Sequence, residues 1–157
     1  MKTPYKSFTL LAFILLLVSP TSSFSHCQVP CGIYEDSLRI QLLDEHITTI
    51  EKSMTEINTL SKQNAPNYNQ IVRWINNKEV HASKIQIIVS EYFLHQRIKI
   101  AAKDNHHYDS YIQNLQYLHQ ISVFAMKSKQ STDLKLIPTL RKTLQLFATY
   151  YFSEHKH

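Results

Sequence analysis

The stretch LRIQLLDEHITTIEKSM, residues 38–54, decides the fold class. Leu43, Ile47, Ile50 and Met54, continued by Ile57, recur at steps of four, three, four and three. That rhythm puts them on one face of an α-helix. Asp36 or Ser37 is expected to cap its start. Its end is expected near Lys62, where Gln63-Asn64-Ala65-Pro66-Asn67 reads as a loop.

Three further stretches repeat the pattern. From about Tyr68 to Gln96, with Asn67 as candidate cap, Ile71, Ile75, Ala82, Ile85, Val89 and Tyr92 form an inner face. The polar run Asn76-Asn77-Lys78-Glu79 interrupts it, and Arg97 to His107 reads as a charged connection. Tyr111, Leu115, Leu118, Ser122 and Ala125 mark a third helix, closed by a break and cap at Ser131-Thr132-Asp133. Ile137, Leu140, Leu144, Phe147 and Tyr151 mark a fourth. Pro138 is tolerable only in a first turn, so that helix should start near Ile137. One glycine in 157 residues argues against a hairpin-rich β fold. The expected architecture is all-α: an up-down-up-down four-helix bundle over 35–157, forming a single domain with the segment that precedes it.

Residues 1–25 do not read as fold. Lys2 and Lys6 precede an apolar run from Phe8 to Val18, then the more polar Ser19 to Ser25. This is the layout of a cleaved signal peptide, with small Ser23 and Ser25 before the cut. An exported chain is expected, in a periplasm, the extracellular space or an organelle lumen, with no membrane association after cleavage. Removing the two leader lysines takes the 17 basic residues to 15, against 12 acidic ones. With no dense Lys/Arg run, the charge argues against a nucleic-acid partner.

Cleavage after Ser25 would make HCQVPCGIY, residues 26–34, the mature N-terminus. This segment holds both cysteines and the only glycine of the chain. His26 would offer a free α-amine and an imidazole, Cys27 its amide nitrogen, and Cys27 and Cys31 two thiolates. Pro30 restricts the backbone before Cys31, and Gly32 permits angles other residues avoid. A planar set of two nitrogens and two sulfurs suits Ni(II) or Cu(II), and a tetrahedral sulfur-rich set suits zinc. A Cys27–Cys31 disulfide is the alternative in an exported chain. The residues alone leave these readings level.

The pattern H-C-x-x-P-C-G-x-Y, carried here by His26, Cys27, Pro30, Cys31, Gly32 and Tyr34, resembles the hook of the nickel superoxide dismutase family. The segments LRIQLLDEHITTIEKSM, NYNQIVRWINNKEVHASK, SEYF and LHQISVFAMKSKQSTDL are also similar to it. The resemblance implies a hook ahead of a four-helix bundle, assembled as a homohexamer with one nickel ion per subunit. It implies conversion of superoxide to dioxygen and hydrogen peroxide by Ni(II)/Ni(III) cycling. The implied ligands are the His26 amine, the Cys27 amide and the thiolates of Cys27 and Cys31, with the His26 imidazole axial in the oxidised state. Tyr34 resembles a tyrosine beside the open face, and Tyr92 in SEYF a second one near the site. The chain departs from some members at Gln28, where they have Asp. It departs again at Gln41 and His81, aligned with a Glu and an Arg that orient the axial imidazole. His46, His95, His106 and His107 read as ordinary surface or core histidines. The competing functions are a non-enzymatic exported nickel- or copper-binding bundle and a disulfide-closed structural bundle.

Overall fold

The computed structural model describes residues 35–154. The leader and the hook lie outside the described residues. Four helices and no strand occur among the described residues: α1 (Asp36–Leu60), α2 (Tyr68–Ile87, running on through Ile88–Arg97), α3 (Tyr108–Gln130) and α4 (Leu136–Glu154). Consecutive helices pack together, and α1 also packs on α4, which closes the bundle around one core.

The stripes expected on α1 and α4 are buried along their whole length, from Leu43 to Ile57 and from Ile137 to Tyr151. Each such aliphatic side chain contributes about 1.5–3 kcal/mol of transfer free energy. Ala82, Ile85, Val89 and Tyr92 of α2 are buried as expected, and Phe93 joins them. Its ring meets Phe147 edge to face, with centres 5.0 Å apart. On α3, Leu118 and Ala125 are buried together with Ile121, which the expected stripe omitted.

Other expectations need correction. Ile75 is 38% exposed, while Lys78, from the polar run, is only 3% exposed. The first half of α2 turns a lysine inward because the last turn of α3 needs a donor. Lys78 Nζ donates to the carbonyls of Ser128 (2.7 Å), Ser131 (3.4 Å) and Lys129. Carbonyls at a helix C-terminus lack partners within the helix, and a cation there also suits the helix dipole. Helix α1 ends at Leu60, slightly before Lys62. Neither Asp36 nor Ser37 caps it: Glu35 holds the cap position without a side-chain bond. The Asp36 carboxylate is directed to other helices. Asn67 does cap α2, accepting from the Gln70 amide at 3.2 Å.

Candidate metal centre and the bundle end that carries it

Chain continuity joins residues 26–34 to Glu35, so the expected hook is mounted where α1 begins. A part-buried network assembles at that end. Tyr92 donates its hydroxyl proton to Asp36 Oδ1 at 2.5 Å, and Tyr151 donates to Asp36 Oδ2 at 2.8 Å. Arg97 Nε donates to Asp36 Oδ1 at 2.9 Å, and its Nη2 to the Tyr92 oxygen at 3.1 Å. The guanidinium groups of Arg39 and Arg97 each lie 5.0 Å from the Tyr92 ring centre, within cation–π range.

The local helix geometry makes this convergence possible. Tyr92 and Arg97 are five apart, which in an α-helix would place them about 140° around the axis from each other. Residues Ile88–Arg97 instead wind as a π-helix. The Ile98 amide donates to the Phe93 carbonyl at 2.9 Å, a step of five. The wider turn brings both side chains to one side, facing Asp36.

The electrostatics follow from these contacts. Burial alone would raise the Asp36 carboxyl. The hydrogen bonds from Tyr92 and Tyr151, with the Arg97 charge, outweigh it and hold the group below the usual carboxylate range. Burial and the neighbouring Asp36 push both phenols up, so each stays a neutral donor. Arg97 is held above its ordinary value first by its hydrogen bond to Tyr92. Beside the network a cavity of about 640 Å³ opens between the 98–107 connection and the start of α3. Arg97, Lys99, His107 and Asn114 line it, and the buried Asn114 Oδ1 has no hydrogen-bond partner.

His26, Cys27, Cys31 and Tyr34 lie outside the described residues; Tyr92 is hydrogen-bonded to Asp36 at the start of α1. Gln41 is exposed on α1. His81 faces His46, with Nδ1 to Nδ1 at 3.2 Å. Sequence reasoning missed the centre of the network. It read Asp36 as a cap, Arg97 as part of a charged connection and Tyr151 as plain core. The one available signal was an acidic residue two positions after the hook segment, with an aromatic-cation pair five residues apart. Among the described residues no group of three or more His, Cys, Asp or Glu is placed to hold a metal ion. The donor set of residues 26–31 does fit nickel: nitrogen donors and thiolates together suit a four-coordinate first-row ion.

A four-helix bundle with a part-buried charge network at the start of α1, preceded in sequence by such a donor set, fits a metal-dependent redox protein. The family profile of the nickel-containing superoxide dismutases matches residues 21–156, a span that includes the hook segment and all four helices. The chain belongs to that family and is a nickel-containing oxidoreductase that dismutates superoxide. No curated protein and no solved structure gives a match. Among the described residues no helix is long and apolar enough to cross a membrane.

Proposed function

We propose that residues 26–34 are the nickel hook of this enzyme, created when the leader is cut after Ser25. The family match carries this reading, because its span contains the one segment with a complete donor set. The His26 amine, the Cys27 amide and the Cys27 and Cys31 thiolates would hold the ion, with the His26 imidazole as a further donor. Nickel held there would supply one-electron Ni(II)/Ni(III) chemistry, enough to oxidise one superoxide and reduce the next. Tyr34 orients water and the anion at the open face. Tyr92, held by Asp36 and Arg97, gives the hook a fixed wall to stand against. The up-down-up-down bundle assembles as a homohexamer and acts in an exported compartment.

The test compares chains that begin at His26 with chains that carry one extra residue before it. The extension turns the amine into an amide and leaves both cysteines in place. Nickel content and superoxide turnover should both fall severely. Full turnover by the extended chain with nickel bound would overturn the hook assignment.

A further inference from the structure

We propose that His46 and His81 form a second divalent-metal site, made of two imidazoles and separate from the hook. His46 lies on α1 and His81 on α2, and both rings are half-buried. Their Nδ1 atoms are 3.2 Å apart. Two nitrogens at roughly 2.0–2.1 Å from a shared cation stand about 2.9–3.4 Å apart for octahedral to tetrahedral angles. The ring centres are 4.9 Å apart with planes at 87°. That is closer than two rings meeting head-on at this nitrogen separation, so the rings are bent toward each other.

Without metal, one Nδ1–H donates to the other Nδ1, so the rings are opposite tautomers. Binding a cation moves that proton to Nε2 through solvent, and both imidazoles stay neutral throughout. Burial, first, and nearby positive charge hold both rings below the ordinary histidine value, His46 at about 4, which keeps their lone pairs available near neutral pH. Solvent supplies the remaining ligands at half-buried positions. Lys84 is the opposing charge that bears on both rings, and it limits the affinity. Imidazole donors suit copper, nickel and zinc, with Cu(II) tightest.

The site does not depend on the hook, and its test removes the hook. The full chain from His26 carrying Cys27→Ser and Cys31→Ser, with its amine blocked, is titrated with Cu(II) and with Ni(II). The His46 and His81 ring signals should broaden before those of the other histidines. H46Q or H81Q should weaken that binding at least tenfold while the thermal unfolding curve stays cooperative, and K84Q should tighten it. The same ring signals, followed in the nickel-loaded unsubstituted chain on adding Cu(II), give a readout that needs no substitution. If other histidines broaden first in both proteins, or if binding survives both substitutions, the site does not exist.

Discussion

The bundle draws charge inward in two places, burying Lys78 and half-burying Asp36, and satisfies it in different ways. Lys78, in the first half of α2, points at the last turn of α3 and is met there by backbone carbonyls, with the adjacent Glu79 carboxylate at 3.3 Å as its only side-chain partner among the described residues. Asp36, at the start of α1, is met by the side chains of Tyr92, Arg97 and Tyr151. Carbonyl partners come with the helix whatever its sequence, so the Lys78 contact is a cap that locks α3 to α2. Side-chain partners must be specified one by one from separate helices. The Asp36 network therefore fixes the relative positions of three helix ends, at the end where the hook is attached. One charge ties two helices together through backbone; the other ties three helix ends together through side chains.

The contrast breaks most sharply at Lys78. Lys78→Met should leave several carbonyls buried without partners and lower stability by about 3 kcal/mol, as seen by urea unfolding. Superoxide turnover per folded molecule should stay unchanged. Asp36→Asn keeps the shape but loses the charge, and should cost about 1–2 kcal/mol. Its larger consequence should be a several-fold fall in turnover at full nickel content. Equal turnover losses from the two substitutions would erase the distinction between scaffold and site. Tyr151→Phe removes one donor and should cost about 1 kcal/mol, with a smaller change in turnover.

Acid sharpens the comparison further, with the smallest effect. His46 titrates at about 4 in the fold, below its ordinary value of 6.5. The unfolded chain therefore takes up the proton first, and stability should decline as pH falls from about 6.5 to about 4. H46Q should flatten that limb. The Asp36 carboxyl is also lowered, from 3.8, so its contribution is intact above that range and is lost only as pH falls through its folded value. D36N should remove this later limb and leave the earlier one. Melting temperature against pH for both variants separates the two.

Much of the fold was legible because α1 and α4 carry unbroken apolar stripes, and periodicity reads those directly. Helix α2 was less legible. Its inner face includes Lys78, and a lysine aimed at carbonyls on another helix leaves no periodic trace. Its last turns also abandon the α-helical pitch, which a 3.6-residue rhythm cannot register. The proposed hook stands out in the sequence because its donors are contiguous, and it lies outside the described residues. The Asp36 network was not legible, since Tyr92, Arg97 and Tyr151 come from two other helices. The His46–His81 pair was hidden for the same reason, with its members on different helices.

The π-helical stretch also sets how many residues this part of α2 holds. A wider turn accommodates one more residue than an α-helix of the same span, without a loop. It is how a helix absorbs a single inserted codon. Deleting one residue between Tyr92 and Arg97 would restore the ordinary pitch and still leave a good helix. It would leave Tyr92 and Arg97 four apart, about 40° around the axis, and so still on the side that faces Asp36. The convergence of Tyr92 and Arg97 on Asp36 is therefore set by spacing and pitch together: five residues at the wide pitch, or four at the ordinary one.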